Sequence, residues 1–183
     1  NNYFDKLKNN KKILNDNERK IIDEQKKFIE NLKSEKIPLT PKKFESFILD
    51  KSLIWRNLRY NDLGNQEKII LNFFNEKWNE ISIPKNKLEL KKYETKLHFI
   101  KSDQKQTNNE HNLLKKKIED ISSELNQLEN NLDFFSESST SNPLLIEVNN
   151  KINELSTKKM IVETKIKQLK SILNQTLKDE TEK

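Results

Sequence analysis

The amino-acid sequence predicts an all-α fold, a small helical core with a long antiparallel coiled-coil hairpin, and three observations carry that prediction. Apolar residues between Ile83 and Thr176 recur at alternating steps of three and four, the period of about 3.5 at which seam residues of one helix pack into holes on a facing helix. A single interruption, residues 136–143 (SESSTSNP), is polar up to its proline and marks the place where the chain turns back. The composition is 32% hydrophobic and 35% charged, lean for a compact globule and suited to helices that bury one stripe each.

The first helix runs from Asn1 to about Lys33. Its apolar positions Phe4, Leu7, Leu14, Ile21, Phe28 and Leu32 form a heptad whose alternate seam positions are Lys11, Glu18 and Gln25. Half a seam gives up most of its burial, so this helix leans on another helix or on upstream sequence. It ends before Pro38, because proline disfavours helical geometry at the residue before it. Thr40-Pro41 reads as an N-cap followed by proline at the first helical position, opening a second helix that carries Phe44, Phe47, Ile48, Ile54 and Trp55 inward. The turn Asn61-Asp62-Leu63-Gly64-Asn65 holds the only glycine. A third helix from about Gln66 buries Ile69, Ile70, Phe73, Phe74, Trp78 and Ile81. Residues 1–83 thus hold the amino-terminal helices and a small aromatic core.

Residues 84–183 hold a long helix opened by Pro84 and the hairpin, with its turn at 136–143. The leading row is Leu90, Tyr93, Leu97 and Ile100, then Leu114, Ile118, Ile121, Leu125, Leu128, Leu132 and Phe135. The returning row, on a helix from Leu144 to about Lys178, is Leu145, Val148, Ile152, Leu155, Val162, Ile166, Leu169 and Leu173. Nothing between Lys101 and Glu110 is apolar, and Asp103 and Gln106 have capping-box spacing, which places a break near Ser102-Asp103. Pairing back from the turn, the hairpin ends where this polar gap begins. At 1.5 Å per residue it is roughly 50 Å long, and its seam alone does not offset the entropy of ordering it. A third helix or a partner along its flank is therefore expected, with Leu113, Leu144, Ile161, Ile172 and Leu177 available as a second face.

The net charge of +6 points toward nucleic acid, but its distribution does not. Residues 1–83 carry 17 basic and 13 acidic side chains and residues 84–183 carry 18 and 16, so neither half is a basic arm. Lysine interleaved with glutamate reads as a solvated face. There are 32 lysines and 25 asparagines against three arginines and no alanine, a bias toward AT-rich codons. With no cysteine, disulfides and thiolate zinc sites are excluded. No apolar run reaches the roughly 18 residues of a membrane span, and no signal-peptide pattern is present, so a cytoplasmic location is expected.

Three stretches carry a family resemblance. Residues 127–136 (QLENNLDFFS), then Asn142-Pro143-Leu144, then Lys167-Gln168-Leu169-Lys170-Ser171, resemble the carboxy-terminal hairpin of a bacterial helical repeat family known as domain of unknown function three-four-nine. Residues 2–7 (NYFDKL) resemble the end of one of its repeats, and Tyr93-Glu94 with Leu97 its pre-hairpin helix. Members carry a tryptophan-lysine helix end followed by a glycine-valine-proline turn, whereas Trp55 here is followed by Arg56-Asn57-Leu58. The resemblance implies a cytoplasmic all-helical protein without assigned catalytic residues.

Candidate chemistry is sparse. His98 and His111 are thirteen residues apart and share no helical face as metal ligands would, and His111 reads as a polar seam residue fixing register. Lys159, on the seam, should face Glu119 and Asp120 and specify helix alignment. Adjacent carboxylates such as Glu119-Asp120 point about 100° apart on a helix and cannot share a substrate. One glycine rules out a glycine-rich phosphate loop. No catalytic residue, metal site, cofactor or small-molecule ligand is predicted, and the protein is read as a non-enzyme. One possible recognition cluster remains: Trp55, Arg56, Arg59 and Tyr60 place two of the three arginines between aromatic rings, a composition that grips single-stranded bases or phosphates. The same residues can equally close the core with the arginines on its rim. The expected role is a structural and interaction module presenting its hairpin to a protein partner, by helix-in-groove docking or self-association. The alternative is an RNA- or ribosome-associated factor using its lysine-rich helices and the Trp55 to Tyr60 cluster.

Overall fold

A computed structural model gives the structure of the protein and describes residues 2–59, 64–133 and 142–181. Among the described residues there are six α-helices and no strand: α1 (Asn2–Ser34), α2 (Pro41–Leu58), α3 (Gly64–Asn79), α4 (Lys85–Ile100), α5 (Gln104–Asp133) and α6 (Pro143–Thr181). The fold is all-α. The chain divides into two compact units, Asn1–Pro84 and Lys85–Lys183.

In the first unit, α1 ends ahead of Pro38 and α2 begins with Thr40 extended and Pro41 in the first turn. The Thr40 hydroxyl makes no capping bond, so the fixed φ of Pro41 rather than a side-chain cap starts the helix. The core takes Phe28, Ile29 and Leu32 from the end of α1, Phe44, Ile48 and Trp55 from α2, and Ile70, Phe74 and Trp78 from α3. Phe44 is central: its ring meets Trp78 edge-on at 4.7 Å and Phe74 at 5.9 Å, while Phe28 meets Trp55 at 5.5 Å. Such tilted contacts set the positive edge of one ring against the negative face of another.

Two inward expectations are corrected. Ile54 and Ile69 are exposed, because each lies one residue, about 100°, from the buried Trp55 and Ile70. On α2 the buried face passes instead through Ser52, whose hydroxyl donates to the Leu49 carbonyl at 2.8 Å. The heptad of α1 is also only partly used. From Gln25 onward it packs on α2 and α3, but every residue from Phe4 to Asn17 is exposed.

In the second unit the long helix breaks as the polar gap requires. Helix α4 ends at Ile100, and the Asp103 carboxylate accepts the Gln106 N–H at 2.9 Å to cap α5. Thr107, buried at a seam position, donates to the Asp103 and Gln104 carbonyls. Helices α5 and α6 pack along each other. The nine residues linking them reach about 35 Å at most, less than the ~45 Å of α5, so the two run antiparallel. Helix α4 packs mainly on α6 and closes a three-helix core of Tyr93, Leu97, Ile100, Leu114, Ile121, Leu125, Leu155, Val162 and Leu169.

Candidate functional site

The Trp55 to Tyr60 cluster is built into the first unit. Trp55 is fully buried against Phe28 and presents no face to a base. Arg59 Nε lies 3.3 Å from the carboxylate of Glu67, a buried residue of the first turn of α3, so this arginine ties the end of α2 to the start of the next helix. The fully buried Gln25 of α1 donates its amide to the Leu58 carbonyl at 2.7 Å, satisfying one of the orphan acceptors at the end of α2. Arg56 is half-buried, and its Nε and Nη2 have no hydrogen-bond partner among the described residues. Tyr60 lies outside the described residues. Of the four, then, the structure places Trp55 in the core and Arg59 in an ion pair, and it does not gather them into an open surface.

The hairpin is the larger candidate. Its seam residues Leu114, Ile121, Leu125, Leu155, Val162 and Leu169 are buried, and Ile118, Leu128, Ile152, Ile166, Ile172 and Leu173 pack partly buried against them. Leu132, Leu145 and Val148, nearest the turn, are also only half-buried, and Phe135 and residues 136–141 lie outside the described residues. The buried seam residues thus span Leu114 to Leu125 and Leu155 to Leu169, and those nearer the turn are at most half-buried, where among the described residues of this unit only α5 and α6 lie. In a two-helix seam each side chain meets a neighbour across the seam but keeps one flank open to water. Among the other apolar residues offered as a second face, Leu113 is 62% exposed and Leu144 49%, so neither packs on α4.

Polar contacts fix α4 to this base. Lys165 of α6 bonds Glu89 of α4 at 2.5 Å and lies over the Tyr93 ring, 5.4 Å from its centre. Lys96 of α4 pairs with Glu110 of α5. The bonded Lys165 ammonium holds the Glu89 carboxyl below its ordinary range against an opposing effect of burial. Burial first, and the Glu110 carboxylate second, push the Tyr93 hydroxyl well above the ordinary phenol value. Toward the turn the only cross-helix pair among the described residues is Lys151 with Glu124, at 3.0 Å and well exposed.

Lys159 does not make the ion pair expected of it with Glu119 or Asp120: it sits half-buried, both carboxylates are exposed, and none of the three has an ion pair among the described residues. Adjacent Lys158 instead bonds Glu154 one turn back on α6 at 2.6 Å. His98 approaches Glu94 within its own helix at 3.9 Å, and His111 is half-buried on α5. Among the described residues no three His, Cys, Asp or Glu side chains gather as metal ligands, and no helix is long and apolar enough to cross a membrane. Sequence reasoning missed α4 as the third helix of the hairpin base and Glu67 as the partner of Arg59. The first was signalled by Leu90, Tyr93, Leu97 and Ile100 continuing the seam period ahead of the break. The second had no signal beyond an acidic residue in a first helical turn.

Compared with known proteins, the chain matches no family model, no curated protein and no solved structure. The resemblance to the helical repeat family rests on the residues quoted for it.

Proposed function

We propose that the protein is a cytoplasmic, non-enzymatic interaction module whose coiled-coil hairpin takes an amphipathic helix of a protein partner along the open flank near its turn. The observation that carries this reading is the fall in burial from Leu169 and Val162, under α4, to Leu145, Val148 and Leu128, where no third helix of this unit lies among the described residues. A partner helix set there occupies, near the turn, the place that α4 occupies at the base, and covers the same kind of seam residue. The RNA-associated reading has less support, since Trp55 is buried and Arg59 is engaged by Glu67.

Capture from native lysate with the full chain, with and without nuclease, tests the proposal. Retention should survive nuclease and depend weakly on salt, and it should be lost in a Leu128→Asp, Val148→Asp variant whose helix content by circular dichroism is unchanged. Binding that collapses between about 50 and 200 mM salt, and with Arg56→Ala, Arg59→Ala, would instead assign phosphate recognition.

A further inference from the structure

The amino-terminal half of α1, in the first unit, is an exposed helical stripe. Phe4 is 75% exposed, Leu7 47% and Leu14 57%, and with Lys11 they occupy consecutive seam positions. Glu18 and Ile21 continue the row to the point where α1 enters its own core. Side chains in this row stand on one face of the helix, so they can meet only something that lies along it.

Two antiparallel registers bring the row of one copy against the row of another. One sets Phe4 beside Leu14 of the second copy, the other sets Phe4 beside Ile21. Charge separates them. Residues 1–12 carry four lysines and one aspartate, net +3, whereas residues 13–24 carry Asp16, Glu18, Asp23 and Glu24 against Arg19 and Lys20, net −2. The first register lays the basic stretch on itself. The second lays it on the acidic stretch of the other copy, and pairs Phe4 with Ile21, Leu7 with Glu18 and Lys11 with Leu14 around a two-fold axis between residues 12 and 13. In that register Lys11 and Glu18 of the other copy stand one turn apart. Side chains lean toward the amino terminus of their own helix, and the helices run oppositely, so these two lean toward each other. A carboxylate has two oxygens and can take this lysine beside any contact it makes in its own chain.

We propose that α1 is a self-association seam through which two copies of the chain pair antiparallel over residues 4–21. The contact is isologous, and it is short beside the roughly 1,200 Å² or more of a stable interface, so the dimer is a weak, concentration-dependent one. Its residues are not those of the hairpin seam, so its test does not depend on the proposed function.

Sedimentation velocity of the full chain is the test. Across about 1 to 300 μM, a range that brackets micromolar affinity, the weight-average mass should climb from 21.9 kDa toward twice that value. Leu7→Asp with Leu14→Asp, both at exposed positions, should hold the chain at monomer mass with unchanged helix content. Lys11→Glu should weaken pairing, and Lys11→Glu with Glu18→Lys should restore it, because the swap keeps the cross-copy pair. A monomer at every concentration overturns the proposal, as does a dimer indifferent to Leu7→Asp, Leu14→Asp. A chain that stays monomeric but sediments with anionic phosphatidylserine vesicles through the same leucines would assign the stripe to a lipid surface and overturn it equally.

Discussion

The two units bury their apolar residues in different geometries. Asn1–Pro84 gathers rings: Phe44, Trp55, Phe74 and Trp78 are among its fully buried side chains, and the Phe44 ring of α2 meets those of Phe74 and Trp78 on α3. Lys85–Lys183 lines up aliphatic residues one layer deep, and full burial occurs chiefly where α4 adds a third helix. A cluster core concentrates its stability in a few side chains, each with neighbours on all sides. A row distributes it, and leaves its less covered end with something to gain from another helix.

Breaking the cluster should have the largest effect. Trp78→Ala removes a fully buried ring and should cost about 3–5 kcal/mol, enough to unfold a marginal unit of this size. Both tryptophans of the chain lie in this unit, so Trp55 fluorescence then reports early unfolding in urea while the far-ultraviolet signal of the hairpin persists. A simultaneous loss of both signals would show that the units do not fold separately. The row answers more gently and unevenly. Leu169→Ala, under α4, should cost about 2–5 kcal/mol, whereas Leu128→Ala, half-buried, should cost roughly 1–2 kcal/mol. Equal costs would remove the burial gradient as a physical difference. The Arg59 to Glu67 pair is the polar counterpart: Glu67→Gln should cost roughly 1.5–3 kcal/mol, read on the tryptophan transition alone.

Periodicity made the packing of α5 on α6 legible because a 3.5-residue repeat from Leu114 to Leu132 and from Leu145 to Leu173 has few ways to bury itself when a short polar stretch joins the two rows. The break at residues 101–103 was legible for the complementary reason: ten residues without an apolar side chain cannot hold a seam, and Asp103 offers a cap. In α1 the same kind of repeat reads as a seam with Lys11, Glu18 and Gln25 at alternate positions, yet Gln25 is buried and Phe4, Leu7 and Leu14 are exposed, because periodicity states which face is apolar and not what covers it. Phe28 and Leu32 share the row of Phe4 and Leu7, and only the first pair is buried. The cluster at Trp55 shows the same limit at one site. An arginine flanked by rings has one composition whether it faces solvent or the core rim, and Glu67, which decides the matter for Arg59, lies across a turn.

The smallest effect sharpens the role of α4 as the covering helix. Tyr93 lies between Lys165 and Glu110, and its hydroxyl is held above its ordinary value of 10.0 mainly by burial. A tyrosine in the unfolded chain loses its proton near that ordinary value, while the folded one keeps it to higher pH. Above pH 10 the unfolded state therefore binds fewer protons than the native state, and stability falls as pH rises. The contribution is complete below pH 10 and is lost as pH climbs through the raised value. Lysine side chains in general lose their charge in the same range, so the readout is a difference between two proteins. Tyr93→Phe keeps the ring beneath Lys165 and removes the titrating oxygen. Its urea midpoint by circular dichroism, compared at about pH 9 and pH 11, should drop less than that of the unmodified chain. An equal drop in both would mean that the Tyr93 hydroxyl meets solvent, and that α4 does not seal the base of the hairpin.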